Sequence, residues 1–258
     1  MHTWVRRALL VPLVVVSGQT CLFAQQDANA QAAQVAQKLV AQYESWGAKI
    51  STPGASITAK LGSRDGSVVR YNLYVTGLPA DRLYNVVAFP VTEMEPVTVQ
   101  EGVSLGKDGM VMCTGKQEGE CDDPSSGDHG VVTFALNPAR GEPFRFALVN
   151  ESLDLRAAVV IIPDPILATD KNCTLSAVRL MPHFEVTYFS GTGHPPDADV
   201  TFASNSWGEK HTVKTRSDGN GAIRFAMMPA VAGHSGGTTG IKGVGMACAP
   251  SLKFDWGR

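Results

Sequence analysis

Glu185-Val186-Thr187-Tyr188-Phe189, Ser190-Gly191-Thr192-Gly193-His194-Pro195-Pro196, Asp199-Val200-Thr201-Phe202 and Ser217-Asp218-Gly219-Asn220-Gly221 follow one another between Phe184 and Phe225. The first and third pieces alternate apolar and polar residues, the period of a half-buried strand. Glycine and proline fill the second, and the Asp-Gly and Asn-Gly pairs of the fourth favour a tight hairpin turn. Strand, corner, strand, turn and strand in succession spell a small antiparallel β-sandwich.

The same pattern extends outward. Strands are expected at Leu175–Leu180, His211–Lys214, Ala222–Met227, Ile241–Met246 and Leu252–Asp255, which with those above gives about seven in the C-terminal third. Upstream, a period of two runs through Ala55–Leu61, Val68–Val75, Tyr84–Val91, Val97–Leu105, Met110–Cys113, Val131–Leu136, Phe144–Val149 and Ala157–Ile162. Turn signals such as Arg64-Asp65-Gly66 and Lys107-Asp108-Gly109 separate these segments. No helix-length pattern lies between strands, which argues against a parallel α/β sheet. The prolines of Pro163-Asp164-Pro165 stiffen their own backbone and that of the residue before each, marking a connector. The expected fold is therefore all-β: two tandem β-sandwich domains, residues 51–163 and 173–258, joined by a Pro-containing linker at 164–172.

The Ser190–Val200 corner resembles the G-x-G-F-x-P-x-x-x-V corner of bacterial extracytoplasmic immunoglobulin-like domains, and Asp218-Gly219-Asn220-Gly221 is similar to their D-x-x-G hairpin. His194 stands where those domains usually carry an aromatic, and Asp197 where glycine commonly follows the proline. The resemblance covers residues 173 to 256. It implies an immunoglobulin-like C-terminal sandwich that binds or spaces, and it implies no catalytic residue.

At the N-terminus, Arg6 and Arg7 precede an apolar run from Ala8 to Val16, and Ala24 offers a processing site. The run is about half of the roughly 20 residues a membrane-spanning helix needs. Residues 1–24 are read as a signal peptide, so the expected localisation is periplasmic or secreted, with no transmembrane segment. Residues 25–50 are read as a short N-terminal helix and linker. Val35, Leu39, Val40, Tyr43 and Trp46 form its apolar stripe, and Gly47 is a plausible C-cap. The formal net charge is −2, moving to −4 once Arg6 and Arg7 leave, so no overall basic field exists to hold nucleic acid.

Export makes the remaining cysteines an even set in an oxidising compartment. The expected pairs are Cys113–Cys121, stapling one loop, and Cys173–Cys248, tying the first strand of the C-terminal domain to its last. No C-x-x-C spacing supports zinc.

Candidate chemistry is thin. Gly233-His234-Ser235-Gly236-Gly237 satisfies G-x-S-x-G, but it leads into a strand, and no histidine follows Ser235 to complete a triad in the usual order. His194 and His234 are candidates to meet at one end of the sandwich as a metal pair. Glu118, Glu120, Asp122, Asp123 and Asp128 crowd the Gly115–Gly130 loop, where calcium is the one cofactor such acids would hold and a solvated loop is the alternative. Trp207 and Trp256 suit edge packing or, in a carbohydrate-binding module, stacking on sugar rings. No catalytic residue is assigned. The expected function is a non-catalytic binding, adhesion or envelope-assembly module whose partner is another protein or an envelope or extracellular polymer. A carbohydrate-binding module, or a hydrolase or metal-dependent enzyme on a sandwich scaffold, is the alternative.

Overall fold

The structure is a computed structural model that describes residues 19–89, 96–113, 132–180 and 186–257. The chain divides into two compact units, residues 1–35 and 36–258. The described part of the first is the opening of a single helix, α1 (Gln19–Ile50), whose remainder belongs to the second unit. Sixteen strands follow among the described residues of the second unit. β1 (Ser56–Asp65), β2 (Val68–Thr76), β3 (Tyr84–Phe89), β4 (Val97–Leu105), β5 (Val111–Cys113), β6 (Thr133–Leu136), β7 (Phe144–Val149) and β8 (Arg156–Ile161) build the first sandwich. β9 (Ile166–Asp170), β10 (Cys173–Arg179), β11 (Thr187–Gly191), β12 (Asp199–Ser206), β13 (Glu209–Arg216), β14 (Ile223–Met227), β15 (Gly237–Val244) and β16 (Ser251–Trp256) build the second. All-β architecture with two tandem sandwiches is what the alternating pattern requires.

In the first sandwich a three-stranded sheet, β1-β2-β6, faces a five-stranded one, β5-β4-β3-β7-β8, and every described pair is antiparallel. Leu73, Val86, Val103, Val111, Leu148 and Tyr84 are fully buried between them. Tyr84 satisfies its hydroxyl by donating to Pro79 O at 2.7 Å.

The second sandwich stacks β14-β11-β10-β9 on β13-β12-β15-β16. Its core centres on Phe189, which lies parallel to Phe225 (centroids 4.8 Å apart) and edge-on to Phe254. The chain crosses between sheets after β11, β13 and β14, the Greek-key connectivity that brings β12 beside β15. The segment expected as a linker, 164–172, contains β9, which pairs with β10 from Ala177↔Ile166 to Cys173↔Asp170. The prolines therefore end at Pro165, and the next residue already enters the second core.

Three hydrogen bonds join the sandwiches near that connector. Gly141 N–H donates to Asp164 O (2.7 Å), Arg179 N–H to Gly141 O (2.9 Å), and Arg64 Nη2 to Pro163 O (2.8 Å). Gly141 sits at φ +77°, and a Cβ there would meet Ile166 Cδ1 at 2.5 Å, so only glycine lets this turn approach β9.

α1 is longer than the expected helix and does not stop at Gly47. Ser51 N–H still reaches Gly47 O at 3.0 Å, and the helix ends where Pro53 disfavours helical backbone at Thr52. Ser51 and Thr52 then dock on the edge strand β8: Ala158 N–H donates to Ser51 Oγ and Arg156 N–H to Thr52 Oγ1. α1 packs on both sandwiches. Ala36, Leu39, Val40 and Tyr43 pack on Val178, Val186 and Tyr188 of the second, while Ile50 packs with Val87, Ala147 and Val149 of the first. Trp46 meets Phe89 of the first sandwich edge-on at 5.2 Å. Tyr188 OH donates to the Glu44 carboxylate, which also pairs with Arg224 Nε at 3.4 Å. Val35, placed on the stripe by its spacing, is exposed, and Ala36 takes the buried position. No helix among the described residues is long and apolar enough to cross a membrane.

Candidate functional site

The corner that opens the C-terminal pattern is a structural clamp. Gly193 lies at φ +81°, where a Cβ would fall 1.8 Å from Asn172 O. His194 N–H donates to Gly221 O (3.1 Å), and Asp218 Oδ1 accepts from Asn220 and Ala222 N–H (2.9 Å each), locking the following turn against it. Those backbone bonds hold the Asp218 carboxyl below the usual carboxylate range.

His194 is buried beside the disulfide joining Cys173 to Cys248, with Nδ1 3.7 Å from Cys173 Sγ. Burial keeps its pKa below the ordinary histidine value, so the ring is neutral. Cys173, His194 and Cys248 are the one group of potential metal ligands that lies close together among the described residues, and its two sulfurs are bonded to each other. His234 does not join His194. It stacks on Trp207 (centroids 4.1 Å, 19° between planes) beyond the far end of β12, whereas His194 precedes the start of that strand. Eight residues of strand, about 25 Å, separate the two ends. Trp207 Nε1 donates to Gly236 O at 3.0 Å, so the Gly233–Gly237 segment is a loop held under an indole and running directly into β15. Ser235 is exposed on it. Cys113 is disulfide-bonded; Cys121, its expected partner, and the calcium candidates Glu118, Glu120, Asp122, Asp123 and Asp128 lie outside the described residues.

The feature with chemical character is the outer face of β13-β12-β15-β16. Alternation points Val200, Phe202, Ile241, Leu252 and Phe254 into the core and leaves their neighbours outside. Register then fixes who sits beside whom. Lys210, Asn205, Gly240 and Lys253 form one row across the four strands. Thr212, Ala203, Lys242 and Ser251 form the next, and Lys214, Thr201 and Val244 a third. Arg216 and Asp199 close the sheet with a 3.7 Å ion pair, exposed on both sides and so of little energetic weight. At the other end Thr238 donates to Asp255 at 2.6 Å. The face thus carries five cations (Lys210, Lys214, Arg216, Lys242 and Lys253) against the carboxylates of Asp199 and Asp255, on a chain whose net charge is −2. Lys210, Lys214, Lys242 and Lys253 have no carboxylate partner among the described residues.

Lysines on an edge strand commonly guard it against pairing with another chain, which accounts for Lys210 and Lys214 on β13. It does not account for Lys242, because β15 lies inside the sheet between β12 and β16. Between the lysines runs a groove of about 470 Å³ lined by Ala203, Asn205, Thr212, Gly240, Lys242 and Ser251, among others. Lys253 also borders a second cavity of about 680 Å³ between the sandwiches, where Arg140, Arg179, Trp207 and Asp255 converge.

Sequence reasoning missed this face. Its only linear trace is Lys210-x-Thr212-x-Lys214-x-Arg216, a period-two run of polar residues; Lys242 and Lys253 join it only through cross-strand register. No protein-family model matches the chain, and no curated protein matches it in sequence.

Proposed function

We propose that this protein is an exported, non-catalytic binding module that recognises an anionic ligand through the outer face of β13-β12-β15-β16. The observation that carries the reading is the set of five cations gathered on one sheet face of a chain that is acidic overall. Evenly mixed charge would give no such field, and a generally basic protein would not confine it to one face. The disulfide between Cys173 and Cys248 supports an oxidising compartment and, with the apolar N-terminal run, export to the periplasm or beyond. The sheet orders support the immunoglobulin-like reading of the second sandwich, with β10, β11 and β14 as strands A, B and E, β9 as an added strand beside A, and β12, β13, β15 and β16 as C, C′, F and G. Recognition by a sheet face fits the closed ladders, since β12 and β15 each have hydrogen-bonded neighbours on both sides.

Retention on a sulfated-polysaccharide matrix tests the reading. A lysine near an anionic surface contributes about 1 kcal/mol. Lys210→Gln, Lys242→Gln and Lys253→Gln together should therefore weaken binding by about 3 kcal/mol, more than a hundredfold, and elute the protein at markedly lower salt. Elution of the triple variant with the wild type would refute it.

A further inference from the structure

We propose that the ligand is an extended acidic polysaccharide lying diagonally across the sheet, in the trough floored by Ala203 and Gly240. This rests on the binding-module reading above and names its substrate class.

The trough exists because Gly240 has no side chain. The fold does not require glycine there: a Cβ would find only Lys253 Cγ, at 3.9 Å, an ordinary contact. Gly243, on the inner side of the same strand, is the contrast, since a Cβ there would meet Met246 Cε at 2.1 Å and Ala249 Cα at 3.0 Å. A Cβ at 243 would press on Met246 and on the Ala249 backbone, whereas at 240 glycine leaves open floor, as it does where a ligand approaches a strand closely. Ala203, diagonal to Gly240 in the register, continues that floor. Lys242 and Ser251 stand along one side and Asn205 and Lys210 along the other, while Thr212 and Lys253 mark the ends.

The chemistry of the lining selects the ligand. Sugar C–H faces fit a floor of methyl and methylene. Asn205, Thr212 and Ser251 offer hydrogen bonds to hydroxyls, and the lysines meet carboxylates or sulfates. The lysine Cα positions are spread from ~8 Å (Lys242 to Lys253) to ~14 Å (Lys210 to Lys253), taking ~4.8 Å per strand and ~6.8 Å per two residues. At that spread each lysine can take a separate charge, which suits a chain of repeating charges. Single-stranded nucleic acid binds best where several aromatic side chains stack on successive bases, and the trough's lining holds no Phe, Tyr or Trp, with His211 its single aromatic ring. An extended acidic peptide gains most of its affinity by adding to a free strand edge; β12 and β15 offer none, and on the edge strand β13 Lys210 and Lys214 guard against such pairing. Beyond Lys253 the path opens into the cavity where Arg140 and Arg179 meet Asp255.

Calorimetry on the mature full-length chain with polygalacturonate and dextran sulfate, set against single-stranded DNA, polyglutamate, vesicles containing phosphatidylglycerol, and monomeric galacturonate, tests this. Wild type should bind the two polysaccharides and take monomeric galacturonate at least a hundredfold more weakly. Gly240→Val, which fills the floor and leaves every charge in place, should lose at least tenfold at an unchanged melting temperature, and Ala203→Val should repeat the loss if the first variant folds poorly. Polysaccharide binding undiminished in both variants would overturn the trough while leaving the basic-face reading intact. DNA, polyglutamate or vesicles binding as tightly as the polysaccharides would overturn the ligand class. No binding to any polyanion would overturn both readings.

Discussion

Replacing Trp46 by alanine isolates the role of α1 on the first sandwich. Trp46 is half-buried, edge-on to Phe89 at 5.2 Å, with the Arg145 guanidinium 5.9 Å above its ring. A fully buried tryptophan removes about 150–250 Å² from water, so roughly 100 Å² is at stake here. At about 25 cal/mol per Å² that is about 2.5 kcal/mol, and the edge-to-face contact adds about 1 kcal/mol. Relief of the partly desolvated Arg145, whose pKa burial pulls down, offsets a fraction of this. The expected loss is about 3 kcal/mol. Guanidinium unfolding followed by far-UV circular dichroism reads it as a lower midpoint with an unchanged slope. A loss below about 0.5 kcal/mol would mean that α1 rests on β3 and β7 without bracing them, and the reading of the helix as a strut across both sandwiches would fail.

The Cys173–Cys248 bridge closes a separation of 75 residues, worth about 4.5 kcal/mol in the chain-entropy account; the Cys173→Ala, Cys248→Ala pair should lose that much in denaturant, and a loss below about 1 kcal/mol would contradict the assignment. His194 predicts an acid limb. Its folded pKa lies below the unfolded value of about 6.5, so the folded state binds the proton less readily than the unfolded chain. The stability held by the neutral ring is complete above about pH 6.5 and is lost as pH falls from there toward the folded value; His194→Gln should flatten that slope in melting curves, and parallel slopes would refute it. Tyr188 is held well above the usual tyrosine pKa by burial, by its bond to Glu44 and by that carboxylate's charge. Glu44→Gln should lower it, seen as earlier phenolate absorbance in an alkaline titration, and an unmoved titration would show that α1 does not dock there.

Strand positions were legible wherever alternation was strong. β4 and β7 match the expected bounds at Val97–Leu105 and Phe144–Val149, where runs rich in β-branched and aromatic residues mark strands even though β4 pairs irregularly with β3. β9 was hidden by its prolines and by its length: Ile166-Leu167-Ala168-Thr169-Asp170 has one fully buried large side chain. The stripe on α1 was legible, but its docking surface was not, since a helix stripe names no partner. The signal lay elsewhere, in Phe146–Val149 and Val186–Phe189, where residues of both parities are buried because α1 covers the outer face. Of the histidine pair, spacing gave no information on which end of the sandwich each occupies; chain direction through β12 separates them. The basic face needed register, a long-range property in which a one-residue slip would turn every lysine inward.

Amide chemical-shift mapping during a titration with a short sulfated or uronate oligosaccharide tests the central claim most directly. The account predicts that the largest shifts cluster at Ala203, Asn205, Thr212, Gly240, Lys242, Ser251 and Lys253, and that they collapse as salt rises past the point where the Debye length drops below the lysine spacing. Shifts centred on the first sandwich or on the His194 corner, or none at oligosaccharide concentrations that saturate other anion-binding sheets, would contradict it.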